Sequence, residues 1–339
     1  MRNFSCFLLT LALVGCSRNE SPEDAQSPDK QEIVVAENAM GAADSADAAD
    51  TDEPKTAEEF IERANKLFKE GDADNAVEDY SAAIALKPDA KTFYNRGVAR
   101  TSRGELDEAV KDYDEALKLD TKNVAAWFNR GYVLHKLGKT AEGIESITKA
   151  IEVNPKDGVA YLNRGLFYLD IGLGDKAFDD FKKTLELEPE HVEALINRGF
   201  CFYSRGDWDD ALRDFTKAVQ LAPLNATAYG NRGNVYTKLE KYDLALKDLN
   251  EAVKLNSRDP QLFVNRGSVF GALDKNKEAV DDFTVAITLA PEFAAAYRNR
   301  GHAYHAMADN VKARADFAKA LELEPSFVES IPEQYRTAK

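Results

Sequence analysis

The phrase Asn-Arg-Gly stands at 95–97, 129–131, 163–165, 197–199, 231–233, 265–267 and 299–301, and every step is 34 residues. A strict period held over so much chain constrains the fold more than composition can. Each copy must build the same local unit and must meet its neighbours in the same way. A period of 34 accommodates one helical hairpin per unit, so the expectation is a stack of hairpins with no sheet.

Set against known repeats, the pattern resembles the tetratricopeptide repeat. That family places a large residue at position 4, small at 8, large at 11, small at 20, aromatic at 24, small at 27 and proline at 32. Repeat five matches it with Leu195, Gly199, Phe202, Ala211, Phe215, Ala218 and Pro223. Small residues at 8 and 20 let paired helices approach closely, and the aromatic at 24 is expected to fill the space between hairpins. Proline cannot continue a helix, and glycine at position 15 (Gly71, Gly104, Gly138, Gly172, Gly206) supplies the turn between helices. Thr121 and Ser257 replace the proline, Glu240 and Asp274 replace the turn glycine, and Gly143 and Ile147 stand at positions 20 and 24 of repeat three. None of these breaks the phase. The resemblance implies an all-α, right-handed superhelical α-solenoid of eight hairpins over 57–327. Its units are 57–89, 90–123, 124–157, 158–191, 192–225, 226–259, 260–293 and 294–327, followed by a short tail, 328–339, that partly covers the last hairpin. Repeat one carries Glu62-Arg63-Ala64 in place of Asn-Arg-Gly.

The arginine of the phrase, at position 7, recurs with an aspartate at position 23: Asp79, Asp112, Asp180, Asp214, Asp248, Asp282 and Asp316. These positions lie on facing sides of a hairpin. A ladder of ion pairs is therefore expected, joining Arg96, Arg164, Arg198, Arg232, Arg266 and Arg300 to these carboxylates within or between repeats. Repeat three, with Ser146, breaks it. Partly buried pairs of this kind fix register more than they add stability.

Ahead of the repeats, Met1-Arg2-Asn3 is a short basic start and Phe4 to Val14 an uncharged apolar run. Eleven residues are too few to span a bilayer, which takes about 20. The ending Leu13-Val14-Gly15-Cys16 resembles the bacterial lipobox. It implies a signal peptide over 1–15, removal of that peptide, and acylation of Cys16; several acyl chains anchor stably where one does not. Ser17 rather than Asp after the cysteine favours the outer membrane by the enterobacterial sorting rule, with the body facing the periplasm. Residues 17–56 hold 11 Asp or Glu against 3 Lys or Arg and few large apolar side chains. Such a segment buries too little surface to offset its chain entropy, which predicts a disordered acidic tether over 16–56.

A formal net charge of −15 argues against a nucleic-acid partner. With Cys6 and Cys16 in the leader, Cys201 is alone in the body and reads as a small packed apolar residue. Several strings imitate functional motifs. Gly172-Leu173-Gly174-Asp175-Lys176-Ala177 has the dinucleotide spacing with no strand before it, and Gly138-Lys139-Thr140 lacks the earlier glycine of a phosphate loop. Asn225-Ala226-Thr227 is a glycosylation sequon without expected meaning in a bacterium. His302 and His305 share a helix face, but a metal needs a third ligand and the sequence offers none. No catalytic constellation, cofactor or metal is expected, and the reading is not an enzyme.

In the tetratricopeptide family helix A lines the concave surface. Position 6 is Asn95, Asn129, Asn163, Asn197, Asn231, Asn265 and Asn299. An amide both donates and accepts, so a row of them can hold an extended peptide. The row is similar to the asparagine ladder in the repeat domain of eukaryotic O-linked N-acetylglucosamine transferases. The competing reading is that these amides bond neighbouring backbone and set helix geometry. Specificity would come from Tyr94, Phe128, Tyr132, Leu162, Leu166, Leu169, Ile196, Phe200 and Tyr203, whereas Gly230, Asn234, Val264 and Ser268 occupy the equivalent places in repeats six and seven. The chaperone-tail class clamps a carboxylate with Lys or Arg at positions 5 and 9. Ile61, Tyr94, Phe128 and Tyr132 stand there instead, so that clamp is not expected, although Asn65 and Asn95 match it. The domain plan resembles tetratricopeptide lipoproteins that pilot secretins or that bring envelope proteases to murein hydrolases. It implies a membrane-anchored scaffold for protein partners in the envelope. Alternatives are a self-assembling structural envelope protein and an enzyme with an unrecognised site.

Overall fold

The structure, a computed structural model, describes residues 54–336. The expected signal peptide 1–15, Cys16 and the expected tether as far as residue 53 lie outside the described residues, as do 337–339. The described chain is helical throughout, with no strand, and divides into two compact units that meet in sequence between Pro189 and Glu190.

The first unit holds four hairpins: α1 (Ala57–Lys69) with α2 (Ala73–Leu86), α3 (Ala90–Ser102) with α4 (Leu106–Leu119), α5 (Val124–Lys136) with α6 (Thr140–Val153), and α7 (Gly158–Asp170) with α8 (Gly174–Leu187). The second holds α9 (Val192–Arg205) with α10 (Trp208–Leu221), α11 (Ala226–Lys238) with α12 (Tyr242–Leu255), α13 (Pro260–Ala272) with α14 (Asn276–Leu289), and α15 (Ala294–Ala306) with α16 (Asn310–Leu323). Odd-numbered helices are the A helices and even-numbered ones the B helices.

Local chemistry sets each boundary. Most A helices start on a side-chain cap: Thr56 closes a capping box with Glu59, and Asp89, Asn123, Asp157, His191, Asn225 and Asp259 accept from backbone N–H groups in the first turn. The sequon asparagine is therefore a helix cap, Asn225 accepting from the Ala228 N–H. At the hairpin turn the chain enters the left-handed region. Gly206 has φ +85°, with Gly206 N–H donating to the Tyr203 carbonyl and Asp207 N–H to that of Phe202. The same turn is kept where glycine is absent: Glu240, Asp274 and Ala308 have φ of 56°, 59° and 61°. B helices end in an extended residue, Glu188 before Pro189 for instance, as a following proline demands. Asp120 and Asn256, before Thr121 and Ser257, adopt similar angles without that demand.

The residue at position 24 is nearly or fully buried in every hairpin: Tyr80, Tyr113, Ile147, Phe181, Phe215, Leu249, Phe283 and Phe317. Its seat adds to the expectation from sequence. The side chain lies over the glycine at position 8 of its own hairpin as well as against the next hairpin, as Tyr113 does beside Ala126 and Val133. A Cβ built on Gly199 would sit 2.8 Å from Phe215 Cε1, and Gly97, Gly165, Gly267 and Gly301 meet Tyr113, Phe181, Phe283 and Phe317 as closely. The glycine of the phrase is thus a socket for a ring. In repeat three the socket takes Ile147, and the smaller side chain lets Gly131 and Gly143 bring the backbones of α5 and α6 together. A Cβ on Gly131 would fall 2.9 Å from the Gly143 carbonyl oxygen. Each such ring or branched side chain contributes about 1.5–3 kcal/mol on burial. Hairpins then bury their remaining apolar faces on one another, as Val253, Leu262, Phe263, Phe283 and Ala296 do across repeats six to eight.

The last hairpin is covered by the tail. Residues 325–330 and 333–335 form 3-10 turns that place Ile331 and Tyr335 against Ala313 and Phe317. The Tyr335 hydroxyl donates to Asn310 Oδ1 at 2.5 Å.

Candidate peptide-binding face

Position 7 carries the most regular polar geometry in the chain. Arg164 donates through Nε to Asp180 Oδ2 at 2.8 Å and through Nη2 to Oδ1 at 2.7 Å. Arg198–Asp214, Arg232–Asp248, Arg266–Asp282 and Arg300–Asp316 repeat the two-pronged pair, and Arg96–Asp112 does so with Arg100 as a second donor to the same carboxylate. Repeat one joins the series through Arg63 and Asp79. These aspartates are buried and their arginines mostly so. Burial pushes the Asp180 and Asp282 carboxyls above the ordinary range, with the hydrogen bond and charge of the facing arginine pulling them back. The hydrogen bond to its aspartate raises Arg232 and Arg300 further above an already high value.

Sequence reasoning missed the third prong of this contact. Nη1 reaches back to position 25 of the preceding repeat: Arg96 to Ser81 Oγ at 3.0 Å, Arg164 to Thr148 Oγ1 at 3.1 Å, Arg266 to Asn250 Oδ1 at 2.9 Å and Arg300 to Thr284 Oγ1 at 3.0 Å. One guanidinium therefore closes its own hairpin and staples it to the one before. The ring at position 4 lies alongside, as Tyr229 does 5.6 Å from the Arg232 guanidinium. The signal was present in the sequence as a polar residue 15 or 16 places before the arginine. Repeat three uses it differently: lacking a partner across its hairpin, Arg130 pairs with Asp114, at position 25 of repeat two, through Nε at 2.6 Å. The ladder changes its partner there rather than losing the ion pair.

The row of asparagines requires a correction. All seven are buried, from Asn265 at 0 % exposed to Asn95 and Asn197 at 9 %. Asn163 Nδ2 donates to the Val159 carbonyl at 2.9 Å and Asn197 Nδ2 to that of Glu193 at 3.0 Å, each one turn back on its own helix. Others reach the preceding A helix, Asn95 to Asn65 Oδ1 at 3.3 Å, Asn129 to the Tyr94 hydroxyl at 3.2 Å and Asn299 to Ser268 Oγ at 3.4 Å. Gln261 donates to Asn265 Oδ1 at 2.7 Å, and Asn231 is 1 % exposed. The short amides look along or between packed A helices, and the bonds of Asn95, Asn129, Asn163, Asn197 and Asn299 run to those helices.

The apolar positions also divide. Tyr94, Phe128 and Tyr203 belong to the packed core, with Tyr94 beside Val98, Tyr113 and Val133, and Leu162 is 4 % exposed. Tyr132 and Leu166 in the first unit, and Ile196 and Phe200 in the second, keep partly exposed side chains. Leu169 is partly exposed as well, and Val264, Ser268 and the Cys201 thiol are buried. His302 and His305 lie beneath the tail, His302 edge-on to Phe317 and His305 Nδ1 3.1 Å from the Tyr335 hydroxyl. Among the described residues no three His, Cys, Asp or Glu side chains gather as a metal site would require.

Family models named for the tetratricopeptide repeat match residues 124–157, 192–225, 226–259 and 294–327, and one named for the TPR repeat matches 97–138. The chain contains tetratricopeptide repeats. It is similar to a tetratricopeptide repeat protein from Parabacteroides merdae, 25 % identical over 73 % of this chain and 98 % of that one, with a TM-score of 0.56. Pseudomonas aeruginosa pilF shares the fold at 17 % identity, covering 63 % of this chain and 95 % of its own, with a TM-score of 0.54. YrrB, described as a TPR protein with an unusual peptide-binding site, is 28 % identical over 54 % of this chain and 94 % of its own, with a TM-score of 0.44. No curated protein matches the sequence. Tetratricopeptide repeats generally mediate protein–protein interaction, and their fold is typically a non-enzymatic scaffold.

Proposed function

We propose that this chain is a lipid-anchored adaptor of a bacterial envelope, holding an extended segment or a helix of a partner protein against its A helices. The observation that supports the reading most is the repeat itself, kept in phase through eight hairpins and matched by tetratricopeptide family models over several of them. Partly exposed Tyr132 and Leu166 in one unit, and Ile196 and Phe200 in the other, are the side chains assigned to contact. The buried asparagines support that face from behind and do not touch the ligand. Cys16, following Leu13-Val14-Gly15, is the proposed acylation site, and the acidic stretch after it is the proposed tether.

Capture by the full chain tests the binding half. Phe200→Ala with Tyr132→Ala, at unchanged helical circular dichroism, loses a partner that the native chain retains; equal capture by both sinks the assignment of the A face. Metabolic labelling with a fatty acid tests the anchor. Label that persists in Cys16→Ala, or native chain recovered wholly in the soluble fraction, overturns it.

A further inference from the structure

Repeat three lacks the ladder aspartate, and its arginine is under-used. Ser146 stands where seven repeats carry Asp, and its hydroxyl donates to the Trp127 carbonyl at 2.8 Å. Arg130 makes one hydrogen bond among the described residues, through Nε to Asp114, whereas Arg164 and Arg266 each make three. Beside Arg130 and Ser146 opens a cavity of about 550 Å³, walled by Ile144 and the Trp127 and Tyr168 rings. It lies wholly within the unit that ends at Pro189.

We infer that this cavity is a carboxylate subsite, in which the carboxylate of a bound peptide takes the place of the missing aspartate. The sister hairpins supply the template, a carboxylate at position 23 meeting the arginine in two prongs as Asp180 meets Arg164; because Asp114 engages Arg130 Nε, the incoming carboxylate meets the paired Nη1 and Nη2 groups instead. A guanidinium fork prefers this two-pronged partner to a point contact. Cavities of about 300–1,000 Å³ suit small ligands, and two aromatic walls suit an apolar neighbour of the carboxylate. The rim selects further. Lys149 is held by Glu152 at 2.7 Å and Glu145 is exposed beside it, so a polyanion is repelled and a single carboxylate on an otherwise neutral segment is favoured.

The inference goes beyond the A-helix reading, since six of the nine lining residues lie on the B helix α6, and its test is independent of partner capture. The chain has two tryptophans, so full-length Trp208→Phe leaves the Trp127 indole N–H as a single reporter in ¹⁵N–¹H spectra. The probes are acetyl-Leu-Asp-amide, acetyl-Leu-Leu with a free carboxyl end, acetyl-Leu-Asn-amide and acetyl-Leu-Lys-amide. A saturable shift with either carboxylate peptide, and none with the other two, is the expected result; which of the two binds tells a side-chain source from a chain terminus. Ser146→Asp fills the site with the carboxylate its sisters carry, retains helicity, and weakens the probe by about tenfold or more, as does Arg130→Gln. No shift with either carboxylate probe, an equal response to the Asn or Lys peptide, or full binding by Ser146→Asp each overturns the subsite. Partner capture that survives such a failure leaves the adaptor reading standing.

Discussion

Eight hairpin turns place one residue in the left-handed region, and three of those residues are not glycine. The most informative is Ala308, at φ 61° and exposed. A residue with a Cβ held in that region costs about 1–2 kcal/mol, and glycine returns roughly 0.5–1 kcal/mol of that through the greater freedom it gives the unfolded chain. Ala308→Gly removes only a solvent-facing methyl, so it stabilises by about 0.5–1 kcal/mol. The reverse change is equally clean at Gly104, φ +78°, where an added Cβ meets nothing within 4 Å. With no packing change to confuse the result, Gly104→Ala destabilises by about 1 kcal/mol through backbone conformation alone. At roughly 2–4 °C per kcal/mol for a chain of this size, the two variants move Tm in opposite directions by about 1–4 °C. Thermal melts followed by circular dichroism, with urea midpoints at constant m, measure both. Equal signs for the two variants, or a lower Tm for Ala308→Gly, refute the backbone argument. Glu240→Gly and Asp274→Gly, each in a hairpin of its own, add to Ala308→Gly.

Further outcomes follow from the packing and the ladder. Removing either member of Arg232–Asp248 leaves a buried charge alone and costs about 3–5 kcal/mol, while Arg232→Leu/Asp248→Leu costs less than the sum; a double-mutant cycle giving no coupling contradicts the ladder as a register device. Gly131→Ala, which drives a methyl into the Gly143 carbonyl, destabilises more than Gly199→Ala, which a tilt of the Phe215 ring can accommodate; both fall near 1–3 kcal/mol, and a reversed order in urea unfolding refutes the socket account. Burial, reinforced by the Arg298 charge, lowers His302 from 6.5 to about 4. The unfolded chain therefore binds the proton more readily, and the stabilisation present above about pH 6.5 is lost as pH falls toward 4. It amounts to at most ~3 kcal/mol at about 1.4 kcal/mol per pH unit. An unchanged slope between pH 6.5 and 4 in His302→Gln would falsify that assignment.

The fold was legible because every repeat repeats its instructions. Gly199 and Phe215, sixteen residues apart, recur in phase with Ala211 and Ala218, and few arrangements bury all of them. The arginine–aspartate spacing was legible for the same reason. What the sequence hid depends on which side chain reaches first. Asn163 and Asn197 can hydrogen-bond a ligand or their own helix with equal chemistry, and only the turn-back distance to Val159 and Glu193 decides. Arg130 had two candidate carboxylates, one lost to Ser146 and one on the neighbouring hairpin, and the period gave no sign of the switch to Asp114. Tyr94 and Phe128 share the patterning of Tyr132 yet sink into the core, because helix position fixes direction while neighbouring bulk fixes depth.

The central claim, that partner protein lies along the A helices, is tested most directly by photo-crosslinking in the native envelope. A benzophenone amino acid placed at Phe200 or at Tyr132, on A helices, is compared with the same group at Leu244 on α12 and at Val311 on α16, both exposed. The account predicts a discrete higher-mass adduct from the A-helix positions and none from the B-helix positions. Adducts from Leu244 or Val311, with silence at Phe200 and Tyr132, contradict it.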